Sequence, residues 1–322
     1  MEVQETIKKL QGLDLSKFPY SEIVAQIANA GVIAQLEISL HPGKSIFRAR
    51  LNEYDEHFYS KCQLTYKPQQ FNKTCQRAST PNMTMFYGSV LPEEIKDDET
   101  RTVPSYEAIP WLRDKTTSGK RTITYTRWNV TQDIKLIAIL QHKNFYDKSS
   151  YTRKLMDDFE KFLNQNPDKK DETIAFTTFI ASEFAKEVDN SKDYNYLISA
   201  AFTESLVKNG YDGVLYPSVR LGGKGFNVAL TSKAADMKLQ LAVVVECSAY
   251  KLFDRTILDN DLQAFLYPNQ TFFEFRNVDD EDHVGEEICL KELGVDSIEE
   301  LNLINNRQEA SSHIKTDLSA RP

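Results

Sequence analysis

The sequence predicts an α+β fold, in which helices and strands do not alternate regularly. Residues 44–52, 83–90 and 121–140 are rich in β-branched and aromatic side chains, which is typical of strands. Helical spacing of apolar residues dominates 1–40 and 151–188 instead. Because no regular strand-helix-strand alternation is present, a doubly wound parallel sheet is disfavoured.

Composition and charge narrow the class of protein. The chain has 322 residues, of which 41% are hydrophobic and 27% charged, as in ordinary globular proteins. Its formal net charge of −8 disfavours a general attraction to nucleic acid or to an anionic membrane. The start of the chain lacks a secretory pattern and no apolar run of membrane-spanning length occurs, so we expect a cytoplasmic protein.

The first 40 residues predict helices. Apolar residues recur there at spacings of three, four or five, namely Ile23, Val24, Ile27, Val32, Ile33 and Leu36. The pattern ends at residues 41–43, His-Pro-Gly. Residues 44–52 then predict a strand, and the polar, irregular residues 53–82 predict a loop.

The middle of the chain predicts strands followed by helices. Residues 83–90 form one strand candidate, and 121–130 and 133–140 form two more. Two prolines, Pro104 and Pro110, limit any helix between them to a turn or two. Residues 151–188 predict two amphipathic helices joined by a polar link.

Residues 193–230 have the clearest pattern. A helix is predicted to stop at Gly210, because glycine takes the left-handed conformation without a Cβ clash. A short strand, a glycine-rich loop and a second strand follow. Residues 239–254 predict a long buried strand and 270–278 a further one, and the last thirty residues predict a short acidic helix and a polar tail.

Two groups of residues, distant in sequence, have the chemistry of one ligand site. They are Arg77, Asn82 and Tyr87, then Tyr216, Ser218, Arg220, Gly225 and Asn227, with Glu107 between them. Arginine pairs with phosphate oxygens, a tyrosine ring attracts a cationic ring, and a carboxylate stabilises oxocarbenium charge. The set suits a ligand with a phosphate, a flat cationic ring and a glycosidic bond that breaks. Arg48 is a further candidate for this site.

Other chemistries have weaker support. The loop Gly222-Gly223-Lys224-Gly225 lacks the spacing of a phosphate-binding loop, so a nucleoside triphosphatase is disfavoured. Four scattered cysteines form no metal-ligand pair, and we expect ordinary thiols and no metal. The five histidines show no spacing that indicates a nucleophilic triad.

Several segments together resemble the RES domain, a bacterial family named for its arginine, glutamate and serine. They read FRAR, RASTPNMTMFYGS, SYEA, TYTRW and GYDGVLYPSVRLGGKGFNVAL, and the resemblance covers roughly residues 45–250. The family arginine lies ten residues before a tyrosine, and its serine lies shortly before a GxNvaL segment. By this match the arginine, tyrosine, serine and asparagine of the family are Arg77, Tyr87, Ser218 and Asn227.

The chain also departs from the family pattern. Gln76 stands where the family has glycine, and Ser79 stands where it has asparagine, with Asn82 as an alternative. Three residues compete for the family glutamate, namely Glu94, Glu99 and Glu107. Glu107 is favoured, because the family's acidic helix precedes a tryptophan-bearing strand, as SYEA precedes TYTRW here.

The resemblance implies a fold similar to ADP-ribosyltransferases, with a mixed β core and peripheral helices. It implies a RES-like catalytic domain at 41–290 with a helical insertion at about 150–190. A helical segment at 1–40 precedes this domain, and a helix with a polar tail at 291–322 follows it.

The implied activity is cleavage of the nicotinamide-ribose bond of NAD by water or phosphate, as in a toxin or defence effector. Two alternatives stay open, namely ADP-ribosyl transfer to a macromolecule and a RES-like binding module without catalysis. A helix-turn-helix antitoxin is an implied partner. The expected roles are pyrophosphate binding for Arg77, stacking near nicotinamide for Tyr87, cation stabilisation for Glu107 and ligand positioning for Ser218. Arg48, Asn82 and Asn227 would add binding contacts.

Overall fold

The computed structural model describes residues 2–54, 56–91, 100–146 and 148–304, and these form a mixture of helices and strands. The predicted α+β class is therefore confirmed. The chain divides into two compact units. The first comprises the described parts of Met1–Ile46, Thr65–Val103 and Asn129–Gln240, and the second those of Phe47–Leu64, Pro104–Trp128 and Leu241–Pro322. The predicted domain boundaries after residues 40 and 290 stay predictions.

The first unit contains strands in the order β1-β5-β6-β7-β3. Their bounds are β1 Glu37–Leu40, β3 Met85–Val90, β5 Ile134–Ala138, β6 Gly213–Pro217 and β7 Phe226–Thr231. β5 and β6 are parallel, whereas β1 with β5, β6 with β7 and β3 with β7 are antiparallel. This part of the fold is thus mixed, and β7 lies between β6 and β3.

The strands that belong mainly to the second unit follow the order β2-β4-β8-β9-β10. Their bounds are β2 Ser45–Leu51, β4 Ser118–Val130, β8 Leu239–Leu252, β9 Arg255–Phe265 and β10 Arg276–Asn277. β8 and β9 form a long antiparallel hairpin whose register shifts between Glu246 and Cys247. Such a shift marks an irregularity of the bulge type, which bends a strand locally.

The helices vary widely in length. Their bounds are α1 Glu2–Gln11, α2 Tyr20–Asn29, α3 Lys61–Leu64, α4 Thr102–Ala108, α5 Pro110–Arg113, α6 Ser150–Gln165, α7 Lys170–Ala185, α8 Leu197–Lys208, α9 Ser232–Lys238 and α10 Glu286–Leu293. Residues 298–304 are also helical. None of the helices in the described ranges is both long enough and apolar enough to cross a bilayer.

The core of the first unit lies between its strands and a helical layer. α1 packs on α2 and α7, and α8 packs on α2 and α7. The apolar face of α1 follows from sequence spacing, because Val3, Ile7 and Leu10 recur every three or four residues and are all buried. Phe176 and Phe202 extend this cluster from α7 and α8. Burial of one such side chain contributes about 1.5–3 kcal/mol.

The second unit has two smaller clusters of its own. In one, Trp111 of α5 packs with Tyr125 of β4 and Cys247 of β8. The other joins Tyr250 of β8 to Cys289 of α10 and to Leu301. The helices that contain Pro104 and Pro110 are short, as the sequence predicts. α4 has seven residues and α5 has four.

Several predictions of secondary structure were wrong. The predicted loop at 53–82 contains the four-residue helix α3, and residues 31–36 of the predicted helical segment are not helical. Residues 37–40 are a strand, not part of a helix, because Ile38 and Leu40 alternate with less buried residues and pair with β5. The strand predicted at 270–278 is reduced to the two residues of β10. The strand that pairs with β8 is β9, because a turn with Phe253 at φ +59° folds residues 255–265 back along β8.

Most other predicted elements were confirmed. β2 and β3 fall within the predicted ranges, and α6 and α7 are the predicted helix pair. α8 ends before Gly210, which has φ +94° as the stop signal predicted. The polar tail at 305–322 lies outside the described residues.

Candidate functional site

A row of polar side chains crosses the strands of the first unit. Asn227 of β7 pairs with Ser89 of β3 on one side and with Tyr216 of β6 on the other. The amide of Asn227 is buried, with 4% of the residue exposed. Its Oδ1 atom accepts a hydrogen bond from Ser89 Oγ at 3.2 Å. Its Nδ2 atom, by contrast, has no acceptor among the residues that the structure describes.

Tyr87 lies on β3 two residues before Ser89 and pairs with Ala229. Its hydroxyl accepts a hydrogen bond from the backbone N–H of Ala78 at 3.2 Å and shares one with Ser79 Oγ at 2.9 Å. Burial raises the pKa of Tyr87 to about 12. Tyr87 is therefore a neutral hydroxyl at physiological pH that holds the segment beside Arg77.

Arg77 is buried, with 8% of the residue exposed. Its Nη1 atom donates to the backbone oxygens of Phe184 and Lys186, the latter at 3.0 Å. Its Nη2 atom donates to Tyr196 Oη at 3.3 Å, and its Cζ atom lies 5.0 Å from the centre of the Tyr196 ring and 5.9 Å from that of Tyr216.

These contacts place a cation at the C-terminal end of α7. The last carbonyl groups of a helix lack partners within the helix and carry the negative end of its dipole. Arg77 satisfies carbonyls at this end and lies near Tyr216, which pairs with Asn227. The structure thus brings Arg77 and Tyr216 together, as the sequence predicts, and also gives Arg77 a structural task.

Ser218 follows β6 and organises the glycine loop. It is fully buried. Its backbone N–H donates to Gly225 O at 3.0 Å, and its own carbonyl accepts from Gly223 N–H at 2.7 Å. Its Oγ atom accepts from Leu221 N–H at 3.3 Å. These bonds close the loop between β6 and β7, directly before Asn227.

The remaining predicted residues have different surroundings. Asn82 is exposed, and its backbone N–H donates to Thr80 Oγ1 at 3.1 Å. Arg220 forms an ion pair with Glu187 at 2.7 Å. Arg48 lies on β2 and Glu107 on α4, within the second unit. The competing Glu94 and Glu99 lie outside the described residues.

In the second unit, backbone contacts fix both predicted residues. The Arg48 carbonyl accepts a hydrogen bond from Thr126 Oγ1 at 3.3 Å, and the Glu107 carbonyl accepts one from Arg113 Nη1 at 3.3 Å. Arg113 also donates to the carbonyl of Tyr106. Arg113 therefore caps the C-terminal end of α4, the helix that carries Glu107.

Sequence reasoning missed several buried carboxylates, and Glu204 is the one that contacts the segment around Arg77. Glu204 of α8 has 6% of its surface exposed and accepts hydrogen bonds from the hydroxyls of Tyr20 and Thr80. Its signal in the sequence is a single acidic residue in an apolar helix, LISAAFTESLVK. Such a residue is normally placed on the solvent side of a helix, but α8 is buried around most of its circumference.

The family model of the RES domain matches residues 157–251. Residues 157–251 are similar to the RES domain, and we call them the RES segment. The RES segment covers under a third of the chain and includes Tyr216, Ser218 and Asn227. It begins inside the helix pair predicted as an insertion, and it does not reach Arg77 or Tyr87. No match was found among curated proteins.

One group in the described residues has the chemistry of metal ligands. Atoms of Asp259, Asp261 and His283 lie within 4.8 Å of one another. The carboxylate of Asp259 already accepts the backbone N–H groups of Val284 and Gly285, at 2.7 and 2.9 Å. These bonds hold the chain that leads into α10, so the group has a structural explanation. The four cysteines are free thiols, and Cys62 is the exposed one.

Proposed function

We propose that this chain consumes NAD by cleaving the bond between nicotinamide and ribose, with water or phosphate as the acceptor. The RES match at residues 157–251 supports this class of activity. NAD supplies the features expected of the ligand, namely a pyrophosphate, a flat cationic ring and a glycosidic bond. A role as a cytoplasmic toxin or defence effector, held in check by a helix-turn-helix antitoxin, is part of the proposal.

One observation carries the proposal. Asn227 is buried in the RES segment, yet its Nδ2 donor has no acceptor among the described residues. A buried donor without a partner costs about 1–3 kcal/mol. A ligand oxygen, such as that of a carboxamide, would satisfy this donor. The neighbouring Tyr216 and Tyr87 would then provide the aromatic surface for a flat ring.

The other residues of the first unit support binding. A guanidinium has five N–H groups, and Arg77 would use those that do not bond to backbone carbonyls to bind pyrophosphate oxygens. Ser218 would fix the glycine loop and so the position of Asn227. Asn82 would contribute from the exposed turn after Thr80. Arg48 belongs to the second unit and stays a candidate on the sequence pattern alone.

The stabilising carboxylate is assigned to Glu107, as the sequence order suggests. Cleavage of the glycosidic bond leaves positive charge on the ribose, and a carboxylate that faces this charge lowers the barrier. Removal of one such group typically slows turnover about a hundredfold or more. Retained turnover in Glu107→Gln would transfer the role to Glu94 or Glu99.

The contacts of Arg77 favour a second candidate, a binding module without catalysis. Its guanidinium donates to carbonyls of Phe184 and Lys186, and these bonds compete with a pyrophosphate for the same donors. In that case NAD or a related nucleotide would bind but would not be cleaved. The candidate differs from the first only in turnover.

The test is release of nicotinamide from NAD by the purified protein, with and without phosphate. We expect release by the wild type, a strong loss in Asn227→Ala and Glu107→Gln, and no change in Asn164→Ala, whose side chain is exposed on α6. All variants are compared at matched thermal stability. Phosphate dependence would identify the acceptor. Binding of NAD without release by the wild type would favour the binding module, and absence of both would overturn the proposal.

A further inference from the structure

We propose that Glu204 is a positioning residue that holds the Arg77 turn, residues 76–84, in the geometry required for ligand binding. Glu204 is itself buried and is not proposed to touch the ligand. The inference rests on the proposed function where it concerns NAD, and on the structure alone where it concerns the turn.

The contacts of Glu204 join three parts of the first unit. One carboxylate oxygen accepts a hydrogen bond from the hydroxyl of Thr80, which lies in the Arg77 turn. The other oxygen accepts a hydrogen bond from the hydroxyl of Tyr20 at the start of α2. Thr80 is fully buried, so this link is shielded from water. A single carboxylate thus connects α8, α2 and the turn.

The carboxylate also fixes the direction of the hydrogen bonds around Thr80. The Thr80 hydroxyl donates its hydrogen to Glu204 Oε1. Its oxygen is then available to accept the backbone N–H of Asn82 at 3.1 Å. The Thr80 carbonyl accepts Asn72 Nδ2 at 2.7 Å and Met83 N–H at 3.2 Å. Thr80 is therefore the point at which the second half of the turn is held.

The position of Thr80 determines that of Arg77. Gln76 and Ser79 exchange backbone hydrogen bonds at 2.7 and 3.1 Å, which makes the first half of the turn a closed loop around Arg77 and Ala78. Thr80 directly follows that loop. A shift at Thr80 would therefore move the Arg77 guanidinium relative to the ring of Tyr216, 5.9 Å from it.

Stability alone does not explain a carboxylate at this position. A buried charge is costly unless it is paired, and the two hydrogen bonds found for Glu204 in the described residues come from neutral hydroxyls. Glu183 of α7, by comparison, is paired with Lys186. Burial and the Glu204 carboxylate raise the pKa of Tyr20, and burial, Asp193 and Glu204 raise the pKa of Cys75 to about 12. Tyr20 therefore stays a neutral donor to Glu204.

The experiment measures the turn and the ligand separately. Glu204→Gln keeps the volume but replaces one acceptor by a donor, and Thr80→Val removes the hydroxyl, whereas Thr80→Ser keeps it. Tyr66→Phe is the matched control, since Tyr66 donates to the carboxylate of Asp236 at an exposed site. Amide hydrogen exchange of residues 76–84 reports on the turn. KM and kcat for nicotinamide release report on the ligand.

We expect faster exchange at residues 76–84 in Glu204→Gln and Thr80→Val, and wild-type behaviour in Thr80→Ser and Tyr66→Phe. We also expect KM to rise about tenfold while kcat changes less, because binding geometry is lost but the reacting groups remain. Faster exchange with an unchanged KM would overturn the positioning role, since it would show a structural role only.

The outcomes distinguish this inference from the proposed function. Unchanged exchange at residues 76–84 in both Glu204→Gln and Thr80→Val would overturn the inference, whatever the turnover. Absence of nicotinamide release by the wild type would instead contradict the proposed activity, and the dissociation constant for NAD then replaces KM. If that constant is the same in wild type and Glu204→Gln, or if NAD does not bind, the positioning role is also rejected.

Discussion

The Nη1 atom of Arg77 lies 3.0 Å from the backbone oxygen of Lys186, at the end of α7. The residues are separated by more than a hundred positions, yet this contact decides how Arg77 is interpreted. The sequence predicts that Arg77 binds phosphate, but in the structure its guanidinium donates hydrogen bonds to backbone carbonyls at the C-terminal end of α7. Loss of activity in an Arg77 variant therefore needs a stability measurement beside it.

Arg77→Ala is expected to lower the free energy of unfolding by about 2–3 kcal/mol, because buried carbonyl groups lose a charged donor. Urea denaturation of the wild type and the variant measures this change. Arg153→Ala is the control, since Arg153 is exposed on α6, and it should change the stability by less than about 0.5 kcal/mol. Equal stability of Arg77→Ala and wild type would contradict the capping role.

Gly225→Ala is expected to destabilise more than Gly222→Ala. The two glycines have similar backbone angles, φ +69° and +61°, so both variants carry similar strain of about 1–2 kcal/mol. A Cβ atom at Gly225 would lie 2.5 Å from Val103 Cγ2, whereas one at Gly222 would meet no atom within 4 Å. The difference between the two variants in thermal melting isolates this contact. Equal melting temperatures would show that Val103 yields without cost.

Asn227→Leu combined with Ser89→Ala is expected to leave stability unchanged or to raise it, while nicotinamide release falls. The double substitution removes the buried Asn227 amide, whose Nδ2 atom has no acceptor among the described residues, together with the Ser89 hydroxyl that donates to its Oδ1 atom. Replacing such groups by apolar ones is close to neutral or stabilising. Thermal melting and turnover of the double variant are measured side by side. A large loss of stability would show that the amide serves the fold, not a ligand.

His283 is expected to make stability depend on pH near neutrality. The Asn260 carbonyl and the Asp259 carboxylate raise the pKa of His283 in the folded state. Its stabilising contribution is therefore complete below the unfolded pKa of about 6.5 and is lost as the pH rises through the higher folded value. The difference in urea midpoint between wild type and His283→Gln should thus shrink on going from acidic to alkaline buffer.

His142 provides the control of opposite sign. Burial, and then Lys143, lower the pKa of His142 in the folded state. Folding therefore favours the neutral form of His142. The contribution of His142 to the free energy of unfolding grows as the pH rises toward the pKa of histidine in the unfolded chain. The midpoint difference between wild type and His142→Gln should increase over the same range. The same trend in both variants would contradict the assigned pKa directions.

The sequence predicted those features whose cause lies within a few residues. Gly210 ends α8 because its left-handed conformation is a local property. The spacing in the RES-like segment placed Ser218 and Asn227 at the two ends of one glycine loop, and the hydrogen bonds of Ser218 close that loop. The apolar stripes of α6 and α7 likewise required no knowledge of their partners.

The tertiary structure decided the features that depend on distant partners. β9 is polar and was missed, because its strand conformation comes from pairing along β8. The sequence by itself determined which residue types could form an anion and aromatic site, since chemistry is a property of the side chain. Only the fold decided that Arg77 also caps α7 and that Glu204 holds Thr80. Those contacts join residues more than a hundred positions apart, which local spacing does not encode.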